Sequence, residues 1–366
     1  MRAIVLVGGE GTRLRPLTLR TPKPLAPMLN RPLLEHLLRH LGLHGIRSIT
    51  LALTTGRSSD AVRDAFGDGA ALGLALDYAY EQTPLGSGGA IANAAADWGE
   101  PREPFLVCNG DLVTDLDVTA LVASHRARGA ELTISLYKVP DPSRFGVVRL
   151  DATGRITRFV EKPPAGTEPS NLINAGTWLF EPGLLRELPP GRYQRVEEGL
   201  FPVLAGSGRG IYGFTHYGVW TDVGTPEAYR AVNLELLGGS IPACLPAGWP
   251  RSGVMTAGAH VEAGTHVSAP ALIGAGSVVR AGATLGGPVV LGERCTIEAQ
   301  ASVTTSVLWD GVTVGRGAVV RDCVLASGVV IGADATVEDV VLGHDARVPA
   351  GARVAPGALA ASTGSA

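Results

Sequence analysis

The chain has 366 residues, 45% of them hydrophobic and 18% charged, with a net charge of −3. That length suits about two domains with a sizeable core, and the charge balance gives no footing for nucleic acid or an anionic membrane surface. No apolar run approaches the roughly 20 residues of a membrane span. The chain starts on a strand without a signal peptide, and Cys108, Cys244, Cys295 and Cys323 lack metal or disulfide spacing, so a cytoplasmic protein with buried thiols is expected.

Ala3-Ile4-Val5-Leu6-Val7 is a short apolar run of buried-strand type. The turn after it runs Gly8-Gly9-Glu10-Gly11-Thr12-Arg13-Leu14-Arg15-Pro16-Leu17-Thr18 and continues to Pro22-Lys23-Pro24-Leu25. Glycines admit positive φ and close approach of a ligand. Successive N–H groups in such a turn form an anion-binding concavity. Arg13 offers a planar fork and Lys23 a compact point charge, and a loop that folds back brings both to one polyphosphate. Gly-Lys-Ser/Thr is absent, so this is no Walker A loop. The third glycine of the dinucleotide fingerprint is missing too. For Gly-x-Gly-Thr-Arg alone, a solvated turn before a Pro-rich loop is the competing reading.

Asn30 and Pro32 read as the cap and first turn of a helix over residues 31–41. Ile49 to Leu53 reads as a strand, Ser59 to Phe66 as a helix and Leu74 to Tyr80 as a strand. This alternation predicts a parallel sheet with right-handed crossovers, which binds ligands at the carboxyl ends of its strands. His36, His40 and His44 share one helical face, expected to be exposed. Glu81-Gln82-Thr83-Pro84-Leu85-Gly86-Ser87-Gly88-Gly89 is a second Gly-rich turn. It is either a plain helix N-terminus or a backbone shelf for a base or ribose.

Phe105 to Cys108 is a strand ending in Asn109-Gly110-Asp111. A carboxylate there, beside a phosphate loop, suits Mg²⁺, which shares oxygen ligands with substrate phosphates; a simple turn is the alternative. Asp115 and Asp117 read as turn and helix-start residues. Leu132 to Tyr137 is a strand. Gly146 to Leu150 and Arg155 to Val160 form a hairpin that delivers Glu161-Lys162-Pro163, where Pro163 stops the strand. Ile173 to Phe180 is a strand in which Asn174 needs a polar partner, from sugar hydroxyls or from the fold. Trp220-Thr221-Asp222-Val223-Gly224-Thr225-Pro226 precedes a helix over Glu227 to Leu237.

Residues 239–252 read as a linker. Beyond them Leu291, Leu308, Leu325 and Leu342 recur every 17 residues, as do Ile297, Val314, Ile331 and Val348, and Val303, Val320, Val337 and Val354. Three inward apolar positions per turn, with Gly, Ala and Asp between, predict a three-sided left-handed parallel β-helix of hexapeptide-repeat type. It spans residues 253–358 in five to six coils, with a flexible tail at 359–366.

The combined motifs resemble those of the sugar-1-phosphate nucleotidylyltransferases, the nucleotide-sugar pyrophosphorylases. The Pro-Leu-Gly-Ser-Gly-Gly and Asn-Ala-Gly forms are most similar to the mannose-1-phosphate guanylyltransferases. The resemblance implies an α/β fold with a Rossmann-like, mixed but mainly parallel sheet over residues 1–238. It implies nucleotidyl transfer from an NTP to a sugar 1-phosphate with release of pyrophosphate, GTP and mannose 1-phosphate being the leading pair. By residue, it implies Arg13, Lys23 and Lys162 as catalytic groups, and Gly8, Gly9, Gly11, Thr12, Arg13, Lys23, Gln82 and Gly86 as nucleotide-binding. It further implies Gly146, Glu161, Lys162 and Asn174 at the sugar phosphate, with Mg²⁺ on Asp111 and Asp222. A phosphate nucleophile is ionised at pH 7, so no Ser/His/Asp constellation is required. The β-helix is expected to build a homo-oligomer. Rival readings are a thymidylyl- or uridylyltransferase, a non-catalytic regulatory subunit, and an acyltransferase β-helix using His260, His266 or His344.

Overall fold

A computed structural model describes residues 1–354 except residues 10 and 257, together with the backbone of the strand Leu359–Ala360. The remaining residues of the expected β-helix end and tail, 355–358 and 361–366, lie outside the described residues. By contact the chain groups into two compact units. One joins Met1–Gly9 to Leu37–Thr221, and the other joins Glu10–His36 to Asp222–Ala366.

The first unit is built on a mixed sheet. Its strands run in the order Ile156–Glu161, Gly146–Leu150, Leu172–Phe180, Phe105–Asn109, Arg2–Leu6, Ser48–Thr54, Ala75–Glu81. Leu132–Lys138 also pairs with Leu172–Phe180, and Ile211–Thr215 lies parallel on Leu132–Lys138. Arg2–Leu6 is parallel to both of its neighbours, and Ser48–Thr54 is parallel to Ala75–Glu81. The central strands read as continuous apolar runs because both faces are covered: Ile4, Val107, Trp178 and Phe180 are fully buried. Helices Arg57–Phe66, Gly86–Ala95 and Val118–Arg128 fill the connections. Asp117 caps the last of these, its Oδ1 accepting from Ala120 N at 2.8 Å, as a helix-start aspartate should.

Two expectations change. Asn30 does not cap a helix. Leu29 and Asn30 both have positive φ, 47° and 60°, and join the paired segments Pro27–Met28 and Arg31–Pro32 as a two-residue hairpin turn. The helix starts at Leu33. The three histidines are also not an exposed face. His36 is buried with Nε2 2.8 Å from Met28 O. His40 Nε2 lies 2.8 Å from Leu116 O, and His44 Nδ1 lies 2.9 Å from Thr119 Oγ1. Each imidazole is spent on a local tie.

The second unit carries the β-helix. Among the described residues, three parallel sheets of seven, six and six strands stack with each strand on the one a coil earlier, Val307↔Val324↔Val341 on one face and Thr313↔Val330↔Arg347 on another. Leu291, Leu308, Leu325 and Leu342 form one buried ladder. Each such leucine contributes roughly 1.5–3 kcal/mol of burial, which is why the 17-residue apolar period dictates the fold. The same unit includes the loop that bears Arg13 and Lys23, and the helix Pro226–Leu237.

Candidate active site

The loop after the first strand is shaped by three short 3₁₀ turns, Thr12–Leu14, Leu17–Leu19 and Lys23–Leu25. Thr18 Oγ1 donates to Gly11 O at 2.7 Å, drawing the start of the loop onto its middle. Gly11 sits at φ 60°, and a Cβ there would stand 3.0 Å from the Lys23 Cβ, so the glycine lets the loop close. The result brings both expected cations to one carboxylate. Arg13 Nη2 lies 3.9 Å from Asp222 Oδ2, and Lys23 Nζ lies 3.8 Å from Asp222 Oδ1. Arg13 is 68% exposed and Lys23 only 12%, so the lysine is a fixed charge and the arginine a reaching one. Gly224 gives the guanidinium its bed, since a Cβ there would be 3.2 Å from Arg13 Nη1. Thr225 then caps the following helix through Ala228 N, with Pro226 in the first turn. The Trp-Thr-Asp-Val-Gly-Thr-Pro motif thus places a carboxylate, makes room for a guanidinium and starts a helix.

In the first unit, Gly8 and Gly9 follow the strand Arg2–Leu6, and a Cβ at either would meet no described atom within 4 Å. Asp111 lies in the turn after Phe105–Asn109, a turn tied down by Gly110 N donating to Leu6 O at 2.9 Å. The two turns are therefore neighbours at the carboxyl ends of adjacent parallel strands.

The hairpin delivers Glu161 and Lys162 as expected. Glu161 pairs with Gly146 in register, and a Cβ at Gly146 would stand 2.9 Å from Glu161 Oε2 and 2.6 Å from the Phe159 ring. Gly146 is thus needed for room beneath the carboxylate. Lys162 has φ 44°, costly for a residue with a side chain. Its N–H donates to Phe145 O at 2.9 Å, and its Nζ lies 3.3 Å from Glu161 Oε1 with the side chain 58% exposed. The turn at Lys162 thus ends the strand and leaves its cation exposed beside the Glu161 carboxylate.

Asn174 finds its partners within the fold. Its Oδ1 accepts from Trp178 Nε1 at 2.7 Å and from Gly176 N at 3.0 Å, stapling an irregularity in the strand between Asn174 and Trp178. Only its amide N–H groups remain for a ligand.

The second Gly-rich turn is a helix start, Gly86–Ala95. Its glycines make close room for the chain itself: a Cβ at Gly86 would lie 2.6 Å from Gln194 O, and one at Gly89 2.5 Å from Arg192 O. Gly88 N donates to Gln194 O at 2.9 Å. Gln82 lies exposed just before, after Glu81, whose buried carboxylate accepts from Leu85 N at 2.7 Å. Burial pushes the Glu81 carboxyl up from its ordinary value, against that hydrogen bond.

Sequence reasoning missed Arg195. Its Nη2 donates to Glu161 Oε1 at 3.4 Å, its Nε lies 3.9 Å from Glu197 Oε2, and its Nη1 reaches Glu198 at 2.5 Å. Glu197 in turn accepts from Ser87 Oγ at 2.5 Å. This charged chain joins the Gly-rich helix start to Glu161. Arg195-Val196-Glu197 has no motif spacing, so only tertiary contact reveals it.

The first unit thus carries Asp111 at a strand end and an exposed Glu161-Lys162 pair, and the second carries a glycine-bearing loop whose two cations meet Asp222. Two family descriptions match the chain: Nucleotidyl transferase over residues 2–238, and GMPPB C-terminal domain over residues 267–359. The chain belongs to the nucleotidyl transferase family and is a nucleotidyltransferase of nucleotide-sugar synthesis. It is 37% identical to the mannose-1-phosphate guanylyltransferase of Mycobacterium tuberculosis over 86% of this chain and 81% of that one. It is 39% identical to the mannose-1-phosphate guanylyltransferase catalytic subunit beta of Danio rerio, over 63% of this chain and 62% of that protein's length. The solved structure of HddC from Yersinia pseudotuberculosis complexed with GMP-PN matches with a TM-score of 0.54 and 28% identity, over 64% of this chain and 99% of that one. Among the described residues no helix is long and apolar enough to cross a membrane.

Proposed function

We propose that the protein transfers guanylyl from GTP to mannose 1-phosphate, giving GDP-mannose and pyrophosphate. The observation that carries this reading is the pair of loop cations, Arg13 and Lys23, converging on Asp222. One fixed and one reaching cation within 4 Å of a single carboxylate give the loop an excess of positive charge with which to meet an anion. The guanine and mannose assignments draw support from the named relatives, which are mannose-1-phosphate guanylyltransferases.

The chemistry joins two anions, so charge must be neutralised and the reacting oxygens aligned. Lys23, fixed in the closed loop, holds the triphosphate. Arg13 reaches to the leaving pyrophosphate and stabilises the charge that grows there. Gly8, Gly9, Gly11 and Thr12 offer backbone N–H groups to the phosphates, and Gln82 and Gly86 lie at the nucleoside. Lys162 positions the attacking sugar phosphate. Glu161, backed by Arg195, accepts sugar hydroxyls over Gly146, and Asn174 donates its amide N–H. The attacking phosphate oxygen is already ionised, so no side chain has to remove a proton.

Asp111 in the first unit and Asp222 in the second each fit a divalent cation by donor chemistry. Both are hard oxygen donors, and a Mg²⁺ site built from one or two carboxylates leaves its other positions to phosphate and water. Such an ion supplies Lewis-acid neutralisation of phosphate charge.

The test is pyrophosphate release with Mg²⁺ across four NTPs and several sugar 1-phosphates. Release with GTP and mannose 1-phosphate, far above the other pairs, is expected. Preference for dTTP or UTP with glucose 1-phosphate keeps the reaction and overturns the substrate pair. No release from any pair overturns the catalytic reading.

A further inference from the structure

From Val290 onward the β-helix repeats itself every 17 residues, and the places where it departs from its own pattern point to what it does besides stack. Position 292 of the repeat is glycine, and its equivalents are Trp309, Ala326 and Gly343. A tryptophan at a site of small residues is a departure, and so is His344 in the series Glu293, Asp310, Ser327, His344. Both side chains are buried. Their rings meet edge to face at 5.5 Å between centroids.

Both departures serve the cation loop. His344 Nε2 lies 3.2 Å from Leu17 O and 3.2 Å from Thr21 Oγ1. A carbonyl only accepts, so Nε2 carries the proton that Leu17 receives. Trp309 Nε1 donates to Tyr229 Oη at 3.0 Å, and that hydroxyl donates to Pro27 O. Asn233, one turn further along the same helix, accepts from Leu29 N at 3.0 Å, and Asn30 Nδ2 donates to Leu291 O at 2.8 Å. Arg20 pairs with Asp345 beside His344. The loop is therefore pinned on both sides of Lys23: at Leu17 and Thr21 before it, and at Pro27, Leu29 and Asn30 after it.

We propose that His344 and Trp309 are positioning residues for nucleotide binding, through which the β-helix holds the Arg13–Lys23 loop in its phosphate-binding shape. This inference rests on the functional reading above. It gives the repeat domain a part in the reaction itself, beyond stacking on its own coils. Burial keeps the imidazole on its neutral side, its value lowered mainly by desolvation, which suits a group whose work is a neutral hydrogen bond.

Steady-state kinetics on His344→Ala, His344→Gln and Thr21→Val test this. In His344→Ala the KM for the NTP should rise about fivefold or more, the scale of one lost buried hydrogen bond. The KM for the sugar 1-phosphate should stay within about twofold, although loss of the buried ring lowers the melting temperature. His344→Gln, whose amide N–H can reach the Leu17 carbonyl, should recover most of the NTP affinity. Thr21→Val alters only the loop side and should raise the same KM; it decides the matter if His344→Ala fails to fold. An unchanged NTP KM in Thr21→Val and His344→Ala overturns the inference while wild-type turnover keeps the functional reading. Equal rises in both KM values mark mere packing and also overturn it. Wild-type protein that releases no pyrophosphate overturns the functional reading, and this inference with it.

Discussion

Asp222 lies between Arg13 and Lys23 as a carboxylate where the proposed reaction brings phosphate. Arg13 is mostly exposed, and an exposed ion pair contributes at most about 1 kcal/mol to folding. A preorganised donor at developing charge is worth much more, ~2.7–4 kcal/mol of barrier. Arg13→Ala should therefore lose about 10²-fold or more in kcat/KM while its denaturant midpoint stays put; near-normal turnover would remove Arg13 from the mechanism. Glu81 gives a prediction of opposite kind. Its carboxyl is raised by burial, so folding favours the protonated form more than the unfolded chain does. The associated stability is present below the unfolded carboxylate value and is lost as pH rises through the higher folded one. Glu81→Gln keeps an acceptor for Leu85 N and should be more stable than wild type at pH 7–8. That advantage should vanish below about pH 4, where wild-type Glu81 is neutral too, and urea denaturation at the two pH values reads it directly. The loop bearing Arg13 and Lys23, the turn bearing Asp222 and the strand end bearing Glu161 and Lys162 were legible beforehand, because fixed neighbours in sequence mark where these side chains leave their elements. Arg195 and Glu197 were not, because their role is set by Ser87 and Glu161, some hundred and some thirty residues away.

At the scale of elements, hydrophobic period and turn chemistry fixed nearly every strand of the mixed sheet to within a residue or two. The strand Ile211–Thr215 was not read at all, and two other differences fall where one short motif had two local solutions. Asn30 has the composition of a cap and also of a left-handed hairpin turn. The turn won because it seats Leu29 in the core and lets Leu29 N reach Asn233. The glycines of Gly86–Ala95 had two readings for the same reason, since an absent side chain makes room for a ligand or for the chain. Gly89 measures how tightly that room is filled. By helix propensity alone, Gly89→Ala should stabilise by about 0.5–1 kcal/mol. Yet the new methyl would stand 2.5 Å from Arg192 O and 2.6 Å from Leu85 Cβ. Forced overpacking costs about 1–3 kcal/mol, and backbone cannot step aside as a flexible side-chain tip can. Gly89→Ala is expected to destabilise by about 1–2 kcal/mol in equilibrium denaturation. Because the displaced segment leads into Arg195, the KM for the sugar phosphate should rise with it. A stabilised variant would show that residues 192–194 give way freely.

For the molecule as a whole, the β-helix offers a test of what its periodicity means. Each coil is paired only with the one before and the one after, Thr313↔Val330, Val319↔Thr336 and Val324↔Val341. Stability in such a stack is a sum of coil and nearest-neighbour contributions. Removing residues 313–329, one whole period, joins Val312 to Val330 and leaves every later inward residue on its own face. Removing Gly315 alone moves all later residues by one position, which turns the inward set outward in an extended strand. The first variant, although it loses 17 residues, is expected to fold and melt cooperatively. The second, which loses one, should lose the cooperative melt. Circular dichroism and thermal melting separate them, and the reverse order would contradict a nearest-neighbour stack. The same deletion carries a second reading. It takes out a coil between Trp309 and His344 without touching either, so the two anchors of the cation loop no longer stand at their original spacing. If the repeat only stacks, the shortened protein keeps its NTP KM. If it sets the loop's shape, a well-folded molecule with an unaltered sugar-phosphate site binds its nucleotide poorly.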